Sequence, residues 1–465
     1  MREYDLVVIG GGSAGLKAAR TAARLGRKVA LAEERELGGE CFWAGCVPTK
    51  AMVRAAQVWH MIGRASEFGV DVRVSRADFR RAMQYRDRVI ARVAGDGPAD
   101  GGLSRLGADF FPMRAVFESS NRVRIGEEIV GAKQIAIATG TYPTAPPIPG
   151  MAEAGYITNR EAVTLTTLPE RLVVLGAGPI GMEFAQIFRR FGAEVTVIER
   201  LDRVLGSEDA EISALAERYL GEEGIRILTG TTVERVEGSG ANKLLHVAQG
   251  AVRREIRADT ILVATGRAPA IDGLNVEALG LRPDRGLVTD AYLRTEAKHV
   301  WAAGDVRMGY LFTHVASYEG RLAAMNAFTD RPEPFDHRVV PRCTYIDPEV
   351  ASIGLTERQA IERGLRVVTQ RFSFADLDRA IIFGDARGIV KLVYDELDGQ
   401  LVGAHLIGPD ASSIVAEVAL CMKGHLPISA IADTMHAYPS FPEAVEAAAL
   451  SAPNYRGQVE GATGG

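Results

Sequence analysis

Two cysteines stand closer together than chance placement in a long chain would put them. Cys41 and Cys46 lie in Gly38-Gly39-Glu40-Cys41-Phe42-Trp43-Ala44-Gly45-Cys46-Val47-Pro48-Thr49-Lys50. Paired thiols at this spacing suit disulfide exchange or metal binding. In a regular α-helix, residues five apart have Cα atoms roughly 8.6 Å apart, whereas a disulfide needs about 4.4–6.8 Å. Pairing therefore requires the backbone between them to tighten or to leave the helix. Gly45 permits that distortion. Pro48 is expected to bias Val47 away from helical geometry, with a helix running from Ala51 to Ile62. A thiol at a helix N-terminus has a lowered pKa and reacts as thiolate. Taken alone, the stretch reads rather as two buried structural cysteines.

The elements upstream change that balance. Asp5–Ile9 is a short apolar run, as expected of a buried parallel strand. Gly10-Gly11-Gly12-Ser13-Ala14-Gly15 follows, then a helical pattern over 16–25 and a second strand over 28–32 ending at Glu33. Gly10 makes the tight turn, Gly12 admits a pyrophosphate close to the backbone, and Gly15 lets helix pack on strand. Free N–H groups and the dipole at the helix start favour the anion. Glu33 is placed to accept hydrogen bonds from ribose hydroxyls.

The pattern recurs. A strand over 171–175 leads into Gly176-Ala177-Gly178-Pro179-Ile180-Gly181, a helix to about Phe191, and a strand over 194–198 ending at Glu199. From first glycine to acid the spacing is 23 in both copies, Gly10 to Glu33 and Gly176 to Glu199. Each copy closes on Ala-Thr-Gly, at 138–140 and 264–266. Two such units imply two dinucleotides. Val300-Trp301-Ala302-Ala303-Gly304-Asp305 is a further strand ending in Gly-Asp.

The chain has 465 residues, a net charge of −5 and 47% hydrophobic residues, which is globular composition in several domains. Nothing in the charge suggests nucleic acid or a membrane surface. No apolar run reaches the ~18 residues of a membrane helix, and a strand pattern starts too early for a secretory leader, so a cytoplasmic protein is expected. Pro-rich 142–150 marks a domain border, and the chain changes character again near Pro269 and around 330–334. The expected organisation is 1–149, 150–268, 269–337 and 338–456, with a flexible tail over 457–465.

These motifs together resemble the two-cysteine flavoprotein disulfide reductases, the group of dihydrolipoyl dehydrogenase, glutathione reductase and mercuric reductase. The resemblance is carried by Gly10 to Gly15, the Gly-Gly-x-Cys-x4-Cys-Val-Pro-Thr-Lys stretch, both Ala-Thr-Gly ends, Gly176 to Glu183, Gly304-Asp305 and Pro348-Glu349-Val350. It implies an α/β fold with two doubly wound dinucleotide-binding domains, for FAD and NAD(P). A small central domain would complete the FAD site, and an α+β C-terminal domain would form a homodimer with shared active sites. NAD(P)H would reduce the flavin, and the flavin a Cys41–Cys46 disulfide. Cys46 would face the flavin as the charge-transfer thiolate, and Cys41 would exchange with substrate. Lys50 and Glu183 would pair beside the flavin. Contacts to FAD are implied for Ser13, Ala14, Gly39, Glu40, Ala115, Thr139, Gly140, Asp305 and the run Leu311, Phe312, Thr313, His314, with His314 acting through its backbone. Contacts to NAD(P) are implied for Gly176, Gly178, Ile180, Gly181, Glu199, Arg200, Val233, Gly266 and Arg267.

Glu199 favours NADH, while Arg200 beside it tolerates NADPH. NADPH-specific relatives carry a second Arg where Gly206 stands. The C-terminal motif departs from the commonest pattern of the family, in which a His base precedes a Glu by five residues. Here Tyr438 precedes Glu443, and a phenol with a pKa near 10 is a poor base. Mercuric reductases carry Tyr there, but their C-terminal cysteine pair is absent. His436 is an alternative base or a structural histidine. Cys343 and Cys421 read as core thiols. The remaining histidines, His60, His246, His299, His337, His405 and His425, lack metal-ligand spacing, and no metal site is expected. The expected activity is a mercuric reductase-like NAD(P)H oxidoreductase delivering electrons to a metal ion or small thiol/disulfide acceptor. Dihydrolipoyl dehydrogenase, a flavin-only quinone reductase or oxidase, and a non-catalytic assembly subunit are the alternatives.

Overall fold

The protein was analysed as a computed structural model that describes residues 1–73, 76–95 and 100–453. The expected tail over 457–465 lies outside the described residues.

The first sheet is built on Arg2–Ile9, a strand buried from Leu6 onward. Its neighbours are Val29–Ala32 on one side and Glu128–Ile137 on the other, both parallel. The upper half of Glu128–Ile137 also pairs with Val300–Ala302, again in parallel. The chain therefore leaves Arg2–Ile9 toward one side and returns on the other. That reversal opens a crevice at the carboxyl ends of the strands, where such sheets bind ligands. Helix Ser13–Arg24 follows the first strand and helix Thr313–Asn326 follows Val300–Ala302. They pack so closely that a Cβ on Gly320 would lie 2.1 Å from the Ala14 carbonyl oxygen.

A second sheet runs 226–228, 194–198, 171–175, 260–263, all parallel, and an antiparallel meander over 231–258 covers its other face. The two connections between these units, Thr141–Pro143 and Arg267–Pro269, pair with each other as antiparallel strands. A third, five-stranded antiparallel sheet spans residues 342–408 and carries helices Ala411–Lys423 and Glu443–Leu450 over its own apolar core.

Several strands run as expected, Arg171–Leu175 and Glu194–Ile198 without any shift in ends. The helix after the cysteines does not. It spans Cys46–Gly63 rather than starting at Ala51, and Pro48 lies in its first turn. Proline is harmless there because the first N–H groups of a helix have no intrahelical acceptor to lose. Residues 237–242, whose Gly-Ser-Gly-Ala-Asn composition suits a loop, form the end of strand Thr231–Ser239 and a tight turn into Asn242–Gln249. Gly238 at φ +85 accommodates it.

Candidate active site

Cys41 sits in the short helix Gly39–Trp43, and Cys46 is the first residue of the next helix. Ala44 and Gly45 break the helix between them, with Gly45 packed so tightly that a Cβ would lie 3.0 Å from the Glu40 carbonyl oxygen. Both thiols are free in the structure. The Cys46 sulfur lies 3.3 Å from Thr313 Oγ1, at the start of the helix that follows Val300–Ala302. The Cys46 pKa is lowered to about 6, chiefly by the hydrogen bond from Cys41, against the effect of burial, with help from Thr313 and the Lys50 charge. Cys41 is pushed the other way by that same hydrogen bond and by burial. One thiolate and one thiol at neutral pH is the state a dithiol relay requires.

Lys50 lies one helical turn on from Cys46. Its Nζ donates to both oxygens of Glu183, at 3.0 and 2.7 Å. Glu183 is nearly inaccessible to solvent, and its Oε1 also accepts the Tyr345 N–H at 2.9 Å. The pair joins the first dinucleotide unit to the second.

Several features fit a flavin dinucleotide in the first crevice. Gly12 and Gly39 face each other, and a Cβ on Gly39 would lie 2.8 Å from the Gly12 Cα, so only glycine leaves that slot open. Gly10, at φ +102, abuts the Ala138 carbonyl, and Gly15 abuts that of Gly10. Thr139 Oγ1 is buried with no hydrogen-bond partner among the described residues. Asp305 is bonded only weakly, accepting from Thr141 Oγ1 at 3.3 Å, and burial raises its pKa against the nearby Arg267. A hydroxyl-bearing chain laid between Thr139 and Asp305 would satisfy both. Glu33 accepts Gly11 N–H at 2.6 Å and Arg35 N–H at 2.8 Å, which holds its carboxylate at the Gly-rich turn. Ala115 is buried at the start of strand Ala115–Ser119. Leu311 is exposed, Phe312 stacks on His314, and His314 Nε2 contacts the Pro341 carbonyl at 2.8 Å, leaving the side chain a structural task.

In the second unit Gly178 has open space on its Cα, and Ile180 beside it is exposed. Glu199 repeats the role of Glu33, accepting Ala177 N–H at 2.7 Å and Leu201 N–H at 2.8 Å. Arg200 is exposed, and Arg203 spends its guanidinium on the Gly206 carbonyl at 2.8 Å. Val233 lies at a bulge in strand Thr231–Ser239. Arg267 donates to Thr141 Oγ1 at 2.7 Å and lies 3.4 Å from Glu40, while Gly266 stays unencumbered apart from Thr144 at 3.7 Å.

Glu40 takes part in more than was legible in the sequence. Its oxygens accept from Asn159 at 2.8 Å and Arg160 at 2.6 Å. Burial works to raise its pKa, but those hydrogen bonds and the Arg267 charge outweigh it. The cysteine-bearing helix is thereby strapped to helix Asn159–Ala162. Asn159, Arg160 and Tyr345 were not foreseen. A Thr158-to-Glu161 capping pattern was the only local signal near the first two, and it speaks of a helix start rather than a site.

The C-terminal candidates lie apart from the cysteines within one chain. Tyr438 is largely exposed and donates to Asp378 Oδ2 at 2.7 Å, which raises its pKa further. Glu443 Oε2 accepts Ser440 N–H at 2.5 Å. His436 is held by Glu417 at 2.8 Å, the Thr434 carbonyl at 2.8 Å and Glu446 at 3.4 Å. Burial would lower its pKa, but Glu417 prevails and raises it, so the ring tends to keep its proton. Cys421 is buried, and Cys343 is half-buried in strand Arg342–Thr344 with burial pushing its pKa up to about 12. No group of three or more potential metal ligands occurs among the described residues.

Comparison with known proteins agrees with this geometry. The family described as pyridine nucleotide-disulphide oxidoreductase matches residues 4–320, and its dimerisation domain matches residues 340–449. A dihydrolipoyl dehydrogenase of Chlorobaculum parvum is 37% identical, with 98% of each chain covered. A mercuric reductase of Bacillus cereus is 35% identical over 97% of this chain and 71% of its own. Among solved structures, the HOCl-induced flavoprotein disulfide reductase RclA of Escherichia coli is similar with a TM-score of 0.84 and 30% identity, covering 96% of this chain and all of that one. A Cu(II) complex of the same protein superposes with a TM-score of 0.85, at 30% identity over 97% and 99% of the two chains. The chain belongs to the pyridine nucleotide-disulphide oxidoreductases and is an FAD-dependent flavoprotein of that family, with its dimerisation domain.

Proposed function

We propose that the protein is a reductase that draws electrons from NADH, and less readily NADPH, and delivers them through Cys41 and Cys46 to a metal ion or small thiol/disulfide acceptor. Bound FAD supplies the two-electron relay between coenzyme and disulfide. The chain's own residues do the rest. Hydride equivalents reaching the disulfide break the S–S bond and leave a thiolate on Cys46 and a proton on Cys41, which balances two electrons and one proton. The hydrogen bonds from Cys41 and Thr313 and the Lys50 charge support the negative charge on Cys46. Cys41, with its higher pKa, keeps the proton until an acceptor is attacked. Gly12 and Gly39 admit a pyrophosphate, and Glu33 and Glu199 present carboxylates to ribose hydroxyls.

The choice of acceptor rests on Tyr438. A base that removes a substrate thiol proton is worth about 10²–10⁴-fold, and a phenol already donating to Asp378 cannot serve as that base near neutrality. This supports a mercuric reductase-like reading, in which Tyr438 of the second subunit serves as a ligand or donor to the acceptor. RclA, which has been solved as a Cu(II) complex, adds a second kind of metal acceptor to consider. The dihydrolipoyl dehydrogenase reading keeps one support, the similarity to such an enzyme along nearly the full chain. For that reading His436 would have to give up its proton against Glu417. A flavin-only reductase would leave the paired Cys41 and Cys46, and the Cys46–Thr313 contact, without purpose.

Glu199, strapped in place, supports NADH preference. Homodimerisation through residues 340–449 supports shared active sites. The domain borders near 149, 268 and 337 and the site roles above belong to the same reading. No helix among the described residues is long and apolar enough to cross a membrane, and we place the activity in the cytoplasm, where reduced pyridine nucleotide is supplied. The test is a panel of acceptors, Hg²⁺ and Cu²⁺ with excess thiol, lipoamide, oxidised glutathione and a quinone, assayed with NADH and NADPH. Lipoamide turnover exceeding the metal-dependent rate would overturn the mercuric reductase-like reading in favour of dihydrolipoyl dehydrogenase, and no turnover of any metal, thiol or disulfide acceptor would overturn the proposal as a whole.

A further inference from the structure

Helix Pro179–Phe191 presents three polar residues, Glu183, Gln186 and Arg190, at the i, i+3, i+7 spacing of one helix face. All three are buried, and all three grip one short segment of the C-terminal domain. Glu183 accepts the Tyr345 N–H at 2.9 Å. Gln186 accepts the Asp347 N–H and donates to the Asp347 carbonyl, both at 2.8 Å. Arg190 donates to the Asp347 carboxylate at 2.8 Å and to Glu223 at 2.7 Å. Between these points the Ile346 side chain is buried in the same core as Ala185 and Phe188 of the helix. The backbone at 345–347 is therefore over-determined, and what it carries is fixed relative to Glu183.

It carries an aromatic ring. Lys50 Nζ lies 4.7 Å from the centroid of the Tyr345 ring while it donates to Glu183. Tyr345 is half-buried, and its phenol makes no hydrogen bond among the described residues, with burial raising its pKa to about 12. The ring is thus free of any polar task of its own. An ammonium against an aromatic face is attracted by the ring's quadrupole, the more so the further it is desolvated.

We propose that Tyr345 is a positioning residue for the Lys50–Glu183 pair: its N–H fixes the carboxylate, its ring fixes the ammonium, and the C-terminal domain thereby sets the position of the cation beside the flavin. The inference rests on the reading that Lys50 lies against the bound flavin, where it favours the reduced, anionic form. A lysine without the ring samples other rotamers and stabilises that form less.

The experiment is the flavin midpoint potential of the purified holoenzyme. Tyr345→Leu is expected to weaken stabilisation of the reduced form three- to tenfold, a drop of about 15–30 mV for a two-electron couple. Tyr345→Phe keeps the ring and is expected to leave the potential at the wild-type value. Lys50→Met alone is expected to lower it at least as much, and adding Tyr345→Leu to Lys50→Met is expected to change nothing more. Should Tyr345→Leu fail to retain FAD, Tyr345→Met takes its place in the series. A shift in Lys50→Met but none on loss of the ring overturns the role of Tyr345. Equal shifts in the Phe and Leu variants overturn it too, because the hydroxyl would then be responsible. No shift in Lys50→Met overturns the reading of Lys50 and the inference with it.

Discussion

Replacing Glu199 with glutamine separates charge from shape at the proposed coenzyme site. The carboxylate is tied to two backbone amides, Ala177 N–H at 2.7 Å and Leu201 N–H at 2.8 Å. It therefore cannot swing away from an incoming 2′-phosphate, and glutamine keeps an oxygen for one of the two ties. Two unit charges roughly 4 Å apart interact by about 1 kcal/mol in water and about 4 kcal/mol at an effective dielectric of 20. Glu199 is half-buried, so the repulsion falls between those limits. At about 1.4 kcal/mol per tenfold, Glu199→Gln should raise the NADPH-to-NADH ratio of kcat/KM by roughly 10- to 100-fold. Most of the change should be a gain with NADPH, since the amide can still hydrogen-bond a ribose hydroxyl. The assay is steady-state reduction of one acceptor with both coenzymes at two ionic strengths. Part of the wild-type discrimination should fade at high salt, as screened charge does. A ratio unchanged at low salt would show that the carboxylate does not face the 2′ position.

Three further outcomes follow from the same geometry. The two-electron-reduced enzyme should absorb at long wavelength through contact of the Cys46 thiolate with oxidised flavin, with half the band lost as pH falls through about 6, where the thiolate takes a proton. Cys46→Ser should lack the band while holding FAD, and a serine variant that keeps it would refute the assignment. Tyr438→His should raise lipoamide turnover about 10²-fold or more, because an imidazole at that position acquires Glu443 at the family spacing; an unchanged rate, together with loss of activity in His436→Ala, would make His436 the base instead. Glu211, bonded to Arg371 at 2.6 Å and Lys391 at 2.9 Å across two domains, has its pKa lowered to about 2, first by the Arg371 hydrogen bond. A depressed carboxyl pKa stabilises the fold above the ordinary value near 4.5 and loses that contribution as pH falls toward 2. The shift corresponds to ~3 kcal/mol, which solvent screening at this partly exposed group reduces to about 1 kcal/mol. Urea denaturation of Glu211→Gln and wild type should therefore differ at pH 7 and converge only as pH approaches about 2, and a difference independent of pH would refute the linkage.

What the sequence by itself determined is local. Glycine spacing, the acid 23 residues on, and flanking apolar runs identified both dinucleotide units, because a tight turn, a close backbone approach and a helix start each restrict residue type over a short stretch. The Cys41–Cys46 motif and the Tyr438 departure were legible for the same reason. The helix start after the cysteines was misplaced because Pro48 reads as a breaker unless one knows it occupies the first turn. Contacts between distant segments were decided by the tertiary structure alone. Glu40 meets Asn159 and Arg160 more than a hundred residues away, and Glu183 receives Lys50 from one domain and the Tyr345 amide from another. No spacing rule reaches across such distances. Burial then assigns these groups their chemistry, since a carboxylate such as Glu183 must find partners wherever the fold brings them, and the fold brings it a lysine, an amide and, over the lysine, an aromatic ring.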